Sequence, residues 1–382
     1  MKTENNKTAV TVILLLGFQG SQGLRTYLFC LFLLIYCGTI CGNLLIIVLV
    51  STSRSLHTPM YFFISQLSIS DILLSTDIVP NLLHILLNNG GTITFIGCIT
   101  QFYVFSSSEA FECFLLALMS YDRYVAICHP LRYHTVMKSE HSRTMTTTCW
   151  LFAFSLALIY TITTAKMDFC GPNIIDHIFC DLVPLLELAC SASFIVDLQL
   201  YFLSFPIVII PSAIILLSYT YIVLEVLKIP SQNDRQKAFS TCSSHLIVVS
   251  IFYWTMFGVY IIPTKGQSST ISKILSLLYT VFTPLINPII YSLRNKEIKK
   301  SIFHTDYPLK LWMVRRQMQD LGLKIKPKKR QLLQQWLEYL RHVVTLEEEH
   351  PSKVKAIHKW PQPKSLQEIQ EVYVLSSGGT SK

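Results

Sequence analysis

Long apolar stretches constrain the fold of this chain more than any other feature of its sequence. The first, residues 24–50, contains a single charged residue, Arg25, near its start. About 20 apolar residues are enough for a helix to cross a bilayer. Seven such stretches are present, at roughly 24–50, 58–87, 98–126, 143–165, 197–227, 237–262 and 271–293. Because the membrane core offers no water to backbone groups, and because strict polar–apolar alternation is absent, we predict spanning helices rather than a barrel.

The distribution of basic residues predicts how these helices are oriented. The loops and ends on one side hold eleven Lys and Arg residues, and those on the other side hold six. Since cytoplasmic loops are the more basic, we predict an all-α, seven-transmembrane helix bundle with its N-terminus outside. Residues 1–23 are then the extracellular N-terminus, 24–300 the seven-helix domain with the start of a short cytoplasmic helix, and 301–382 a polar cytoplasmic extension. Asn6 begins the triplet Asn-Lys-Thr and is a glycosylation acceptor on the outer side.

Several spans contain polar residues that are costly in a membrane and therefore suggest function. They are Asn43, Asp71, Glu109, Glu112, Asn287 and Ser292. A lone Asn or Ser is explained as well by hydrogen bonds between helices. Several carboxylates at a similar depth favour a polar cavity that holds a cation through oxygen ligands, and a carboxyl kept protonated by burial is the alternative.

The third span ends in a charged pair, Asp122 and Arg123, within the run MSYDRYVAICHPLRY (119–133). Such a pair can anchor a helix at the membrane surface. We interpret it instead as a switch, with Arg123 paired to Asp122 at rest and released when the helices move.

Together with that run, four others resemble the olfactory receptors, a branch of the rhodopsin-like receptors. They are LHTPMYFF (56–63), SY (218–219), KAFSTCSSHL (237–246) and PLINPIIYSLRN (284–295), in the order of that family. The resemblance covers residues 1–300 and implies an odorant receptor in the plasma membrane, in sensory-neuron cilia. It also implies coupling to a stimulatory G protein that raises cyclic AMP.

The resemblance implies roles for individual residues. Disulfides are expected between Cys98 and Cys180 and between Cys170 and Cys190, with free thiols as the alternative. Asp71, Glu112 and Asn287 match a buried polar cluster that binds sodium, the one cofactor expected. Asp122, Arg123, Tyr219 and Tyr291 match the switch that faces the G protein.

The implied odorant pocket lies between the third, fifth, sixth and seventh helices. Its expected lining is Phe105, Ser106, Glu109, Ala110, Ser204, Tyr253, Phe257, Tyr260 and Thr280. Glu109 is unusual, and we interpret it as favouring ligands with an amine or a hydrogen-bond donor. The alternative is a protonated Glu109 or one bonded to another helix. Trp254 stands where the family usually has Gly, so its indole either faces lipid or alters movement of the sixth helix.

The tail after residue 300 departs from receptors of this type. Three of its segments resemble a gypsy-type retroelement reverse transcriptase: LGLKIKPKK (321–329), EYLRHVV (338–344) and SKVKAIHKWPQPKSL (352–366). The pair of aspartates needed for polymerisation is missing, so we predict neither polymerase activity nor a nucleic-acid partner. A fusion or a misjoined gene explains the tail, and a basic surface near anionic lipid is the alternative.

Other functional classes are weaker predictions. A transporter or channel is disfavoured because no internal inverted repeat is evident. A receptor disabled by its tail and retained during biosynthesis is a further alternative. No enzyme is expected, because His84 and His245 lack a nucleophile or a metal-ligand partner and are assigned to the membrane interface by default.

Overall fold

The structure is a computed structural model that describes residues 11–169, 172–189, 202, 205–261, 269–295, 297–299 and 301. The chain divides into one unit from Met1 to His304 and another from Thr305 to Lys382. The tail therefore lies outside the described residues, apart from Ser301, and so do Asn6 and the cysteines Cys170 and Cys190. The domain boundaries proposed above stay predictions.

Helices dominate the described residues and fall at the seven predicted positions. In chain order they are α1 (Gln22–Thr52), α2 (Pro59–Asn88), α3 (Phe95–Cys128), α4 (Pro130–Val136), α5 (Ser139–Ala165), α6 (Leu182–Glu187), α7 (Ile210–Leu227), α8 (Gln232–Ile261), α9 (Ser269–Leu277) and α10 (Thr283–Arg294). A wide π-type turn, Phe205–Ile209, precedes α7, and a second, Leu278–Phe282, joins α9 to α10. The short helices α4 and α6 lie in segments that the sequence assigned to loops.

Six of these helical segments are long and apolar enough to cross a membrane. They are α1, α2, α3, α5, the segment Phe205–Leu227 and the segment Thr270–Ser292. In α8, the sixth predicted span, the apolar helix Cys242–Met256 is shorter. Mean hydropathy therefore supports a multi-pass membrane protein.

The helices begin and end at residues suited to those positions, which explains why they extend beyond the apolar runs. Ser21 caps α1 by accepting a hydrogen bond from Leu24 N at 3.4 Å, and Thr94 caps α3 through Gly97 N at 3.1 Å. A side-chain oxygen there pairs with an amide that the helix leaves free. At the end of α2, Asn89 adopts a left-handed conformation with φ 56°, as is common after a helix.

A small sheet corrects the prediction of a purely helical chain. Strand β1 (Val12–Leu15) lies between β2 (Gly91–Thr94) and β3 (Ile174–Ile175). It pairs antiparallel with β2 and parallel with β3. The sequence reading missed it because each strand has four residues or fewer and lies beside a much longer apolar run. The sheet joins the N-terminal segment to two loops at one end of the bundle.

Helix α3 is the centre of the bundle and packs against α2, α5 and α7, with α8 also in contact. Two apolar clusters fill the interior. One surrounds Phe111 and Tyr219, and the other surrounds Phe105 and the disulfide between Cys98 and Cys180. We call the end of the bundle with this disulfide the disulfide end, and the opposite end the Arg123 end.

Many large apolar side chains face outward along the helices. Leu34 is 71% exposed, Leu216 68% and Trp254 78%. Contiguous apolar surface of this kind is unusual on a soluble monomer, and lipid would cover it in a membrane. Of the two interpretations of Trp254, its outward position agrees with an indole that faces lipid.

Candidate functional site

Three groups of polar residues lie along the bundle, and the first is at the Arg123 end. Arg123 donates through Nε and a terminal nitrogen to Asp122, with Nε at 2.9 Å from Oδ2. The hydroxyl of Tyr133 in α4 donates to the other oxygen of Asp122 at 3.0 Å. Burial and the neighbouring Asp122 both raise the pKa of Tyr133, which therefore remains a donor. The carboxylate of Asp122, which is fully buried, is thus held from both sides.

The other two expected switch residues lie at the same end. Tyr219 in α7 forms a hydrogen bond with Nδ1 of His245 in α8, and the two rings stack with centroids 5.9 Å apart. Tyr291 in α10 is 1% exposed, and its hydroxyl has no hydrogen-bond partner among the described residues. Both tyrosines lie within electrostatic range of Arg123. The structure thus brings the four expected switch residues into one region, whereas their role in switching stays a prediction.

His245 corrects an expectation from the sequence. The side chain is completely buried and contacts Tyr219, so His245 lies in the core and not at the membrane interface. The sequence reading missed this role because the partner tyrosine lies 26 residues away on another helix.

The second group is a polar centre midway along the bundle. Asn287 Nδ2 donates to both oxygens of Asp71, at 3.1 and 3.2 Å. Glu112 interacts electrostatically with Asp71, and its buried Oε1 has no hydrogen-bond partner within the described part of the chain. Asn43 ties α1 to this region by donating to the carbonyl of Pro284 at 3.0 Å.

The polar centre fits a small hard cation. Two buried carboxyl groups and an amide supply oxygen ligands, and the unpaired Glu112 oxygen lacks the partner that buried polar atoms normally have. The predicted sodium site, Asp71, Glu112 and Asn287, is therefore chemically reasonable, although ion binding stays a prediction. Among the described residues, no group of three or more His, Cys, Asp or Glu side chains could hold a metal ion.

The third group lies at the disulfide end and includes part of the expected odorant pocket. The loop between the fourth and fifth predicted spans, residues 166–196, is called the long loop. Phe105 is buried between Phe179 of this loop and Tyr279 of the seventh span, with ring centroids 5.1 and 5.9 Å away. Thr280 is fully buried, and its hydroxyl donates to its own helix at 2.7 Å.

Four other expected lining residues are described, and they differ in exposure. Ala110 and Tyr253 are buried, whereas Ser106 and Glu109 are partly exposed. The carboxylate of Glu109 lies within electrostatic range of Tyr279. Ser204 and the side chains of Phe257 and Tyr260 lie outside the described part of the chain, and the pocket as a whole stays a prediction.

The long loop at the disulfide end is fixed to α3 by two contacts. The disulfide joins Cys98 to Cys180, one of the two pairs that the resemblance implies, and Cys180 N donates to Oε1 of Gln101 at 3.0 Å. The adjacent Asp181 is 3% exposed, and its Oδ1 accepts from Leu182 N at 2.7 Å. Burial raises the pKa of the Asp181 carboxyl to about 6, although the bond from Leu182 N opposes this shift.

His177 lies in the same loop and is neutral near pH 7. Burial lowers the pKa of its imidazole to about 4. Nδ1 lies 3.3 Å from the carbonyl of Phe179, and Nε2 lies 3.2 Å from Oγ of Ser276. In the neutral ring, Nδ1 donates to the carbonyl and Nε2 accepts from the serine.

Lys273 links three chain segments at this end. Its side chain is 5% exposed, and Nζ donates to the carbonyl of Gly17 at 2.8 Å and to the carboxylate of Asp176. Gly17 has φ +62°, a backbone conformation that L side chains rarely adopt, and this turn presents its carbonyl to the ammonium group. Sequence reasoning used Lys273 only as an outer basic residue, because nothing local indicates a contact 256 residues away.

With its spanning helices, buried polar centre and paired Asp122 and Arg123, the chain is a multi-pass helical membrane protein built like a receptor. The family model described as "Olfactory receptor" matches residues 29–306. The chain therefore belongs to the olfactory receptor family, whose members are receptors and not enzymes. This confirms the prediction that the chain is not an enzyme.

Individual relatives support the same assignment. Olfactory receptor 1500 of Rattus norvegicus is 44% identical over 301 residues, which cover 78% of this chain and 96% of that receptor. Olfactory receptor 11L1 of Homo sapiens is 44% identical over 302 residues, or 79% of this chain and 94% of that one. Olfactory receptor 5AP2 of Mus musculus is 44% identical over 297 residues, with 78% and 94% covered.

Proposed function

We propose that this chain is an odorant-gated receptor that activates a stimulatory heterotrimeric G protein and so raises cyclic AMP. The observation that best supports this proposal is the cluster at the Arg123 end, where Asp122 accepts hydrogen bonds from both Arg123 and Tyr133. Such a pair gives the bundle a defined resting arrangement. Moving α3 relative to α4 would break the bond from Tyr133 to Asp122 and so remove one of the two contacts that hold this carboxylate beside Arg123, which is the kind of two-state element that a ligand can bias.

The ligand is proposed to be a small volatile organic molecule bound between the helices near the disulfide end. The buried aromatic rings around Phe105 support this position, because ligand pockets are mostly apolar with a few placed polar groups. Glu109 is proposed to favour ligands with a hydrogen-bond donor. Sodium at Asp71, Glu112 and Asn287 would stabilise one helix arrangement by bridging the two carboxyl groups and offsetting one negative charge.

We propose that the disulfide end faces the outside of the plasma membrane and that the Arg123 end faces the cytoplasm. The excess of basic residues in the loops at the Arg123 end supports this orientation, and so does the disulfide, since such bonds persist in oxidising surroundings. The N-terminus with Asn6 would then be extracellular and open to glycosylation. Sensory-neuron cilia are the proposed location.

The extension beyond residue 306 lies outside the family match. We propose that it is cytoplasmic and dispensable for signalling, since the switch cluster and the spanning helices that the structure describes lie within the first 300 residues. A tail that causes retention during biosynthesis is the competing proposal.

The test is a cyclic AMP assay in cells that co-express the stimulatory G protein, across a chemically broad odorant panel. The full chain, a truncation after Lys300 and the variant Arg123→Ala are compared at matched surface levels, measured by labelling the N-terminus on intact cells. We expect odorant responses from the full and truncated chains and none from Arg123→Ala.

Each other result identifies a competing interpretation. Poor surface level of the full chain alone would identify a disabling tail. Ion currents without odorant would indicate a channel. Silence of both chains at good surface levels across the panel would refute the proposed signalling.

A further inference from the structure

The N-terminal residues 11–17, which we call the strap, join two loops at the disulfide end. Strand β1 of the strap is the central strand of the sheet, with β2 on one side and β3 of the long loop on the other. Leu14 N donates to the carbonyl of Asn173 at 2.8 Å, and Gly17 N donates to that of His177 at 3.1 Å. Because the strand order is β2-β1-β3, removing the strap would separate the two loops that it connects.

The inner face of the strap covers the aromatic rings around Phe105. Ile13 and Leu15 are fully buried and belong to the same apolar cluster as Phe105 and Phe179. Val12, between the buried positions and the start of the strap, is exposed, as expected where successive side chains of a strand point to opposite faces. The strap therefore lies across the path from the disulfide end to Phe105.

Lys273 fastens the strap to the seventh span. Its Nζ donates to the carbonyl of Gly17 at 2.8 Å and also to the carboxylate of Asp176, which directly follows β3. The long loop has in addition a covalent attachment to α3, the disulfide between Cys98 and Cys180. The strap is held to the sheet and to α9 by hydrogen bonds and apolar packing, so it is the part of this end that can be released while the long loop stays attached.

We propose that the strap is a gate that leaves the sheet to let a ligand reach the aromatic rings around Phe105, and that Lys273 is the latch that holds it closed. Opening breaks the bonds from the strap to β2, β3 and Lys273, and it leaves the disulfide intact. Entry and exit of the ligand pass through the same open state, so the gate controls both rates and leaves the affinity nearly unchanged. The proposal rests on the proposed odorant-binding function and adds the route that the ligand takes.

A reversible cross-link between the strap and β2 tests the gate directly. Leu14 and Thr92 are Cα partners in the antiparallel ladder of β1 and β2. Because Leu14 N donates to Asn173 on the other side of the strap, this pair is not hydrogen-bonded across the ladder, and the side chains of such pairs lie close together. Leu14→Cys combined with Thr92→Cys should therefore form a disulfide that keeps the strap in place. Thr92 is exposed and Leu14 partly so, and the buried Ile13 and Leu15 are left unchanged.

A second variant weakens the latch without a cross-link. Lys273→Met removes the ammonium group, and Lys166→Met is the matched control because it removes the same charge at an exposed position of the long loop. Each full-length chain in detergent is measured in two ways. Amide hydrogen exchange reports opening of the strap, and stopped-flow fluorescence of 1-aminoanthracene, a small apolar fluorophore, reports the rates of ligand entry and exit.

We expect the oxidised cross-linked variant to bind and release the fluorophore at least about tenfold more slowly than the same variant after mild reduction, with dissociation constants within about twofold of each other. The natural chain, whose disulfide is buried, receives the same reductant as a control and should not change. Lys273→Met should speed binding and release about fivefold or more, since a hydrogen bond from a charged group is lost. The amides of Leu14 and Gly17 should exchange faster by a similar factor, whereas Lys166→Met should match the natural chain.

Three results would overturn the gate. Equal rates before and after reduction of the cross-link would mean that the ligand enters elsewhere, for example between the helices from the bilayer. Unchanged amide exchange of the strap in Lys273→Met would contradict the latch. The absence of saturable fluorophore binding in the reduced variant and the natural chain would contradict a ligand site beneath the strap.

Neither measurement involves the G protein, so the gate and the proposed signalling can fail separately. Gated binding of the fluorophore in a chain that gives no cyclic AMP response would leave the gate standing and contradict the signalling. Odorant responses that are equally fast in the cross-linked and reduced chains would overturn the gate and leave the signalling standing.

Discussion

Removing Lys273 and removing Asp176 should destabilise the protein by different amounts, because the two members of this ion pair are buried to different extents. The side chain of Lys273 is 5% exposed, and that of Asp176 is 44% exposed. In Lys273→Met the carboxylate that remains can be hydrated where it stands. In Asp176→Ala the ammonium group stays buried, with the carbonyl of Gly17 as its remaining described acceptor.

The size of each loss in stability follows from this difference in burial between Lys273 and Asp176. Lys273→Met loses its hydrogen bonds to Gly17 and Asp176, and about 1–2 kcal/mol is expected because methionine also removes the cost of burying a charge. Asp176→Ala leaves a buried charge without its counter-ion, and such changes typically cost about 3–5 kcal/mol. The double variant has no buried charge to compensate. It should therefore be more stable than Asp176→Ala alone, although it contains one more substitution.

The measurement is thermal unfolding of the full-length chain in detergent, followed by loss of its monodisperse size-exclusion peak. The order of stability should be natural chain, Lys273→Met, double variant and Asp176→Ala, with the middle two close together. Additive losses in the double variant, or a greater loss in Lys273→Met than in Asp176→Ala, would refute the reasoning from burial.

Three further variants test other contacts. Because burial raises the pKa of Asp181 to about 6, the folded chain above that pH carries a penalty that Asp181→Asn removes. Unfolding at pH 7.4 should then cost up to about 3 kcal/mol more, and this gain should shrink as the pH falls from 6 towards 4, where the native carboxyl is protonated. Phe111→Ala should destabilise the chain by roughly 2 kcal/mol, less than in a soluble core because the ring moves to lipid or detergent rather than to water, whereas the outward-facing Phe152→Ala should have little effect in the same thermal assay. Tyr133→Phe removes a bond to Asp122 worth about 1 kcal/mol, so basal cyclic AMP should rise roughly fivefold at equal surface level, and an unchanged basal level would contradict a resting role for this contact.

The spanning helices could be predicted because each corresponds to one continuous apolar stretch of sequence. Residues 24–50 contain one charged residue, Arg25, and few polar ones, and a bilayer imposes helical structure on such a run whatever its neighbours are. The sheet could not be predicted in this way. Strand β1 pairs with residues about 80 and 160 positions away, and nothing in its four residues specifies either partner.

The same distinction applies to the candidate sites. The Asp122–Arg123 pair is adjacent in sequence and belongs to a recognisable motif, so it could be named in advance. The contact between Tyr219 and His245 needs two helices at a specific rotation, and the isolation of His245 in the sequence suggested a wrong location. The buried position of Asp181 likewise depends on the fold of a loop, which no periodicity in that loop reveals.

The separation of the two functional ends leads to one more prediction. Phe105 and Arg123 lie on the same helix, 18 residues apart, and a helix rises about 1.5 Å per residue, so ligand and switch are roughly 27 Å from each other. A ligand at the disulfide end therefore acts on the switch through a rearrangement of packed helices, not through contact. Variants at Glu109, the proposed ligand contact, should then change which ligands are effective when compared at equal surface level. Tyr133→Phe should instead raise basal cyclic AMP while the ranking of ligands is preserved. A change of ligand ranking in Tyr133→Phe would mean that the two ends are not separable, and the assignment of ligand recognition to the disulfide end would then be wrong.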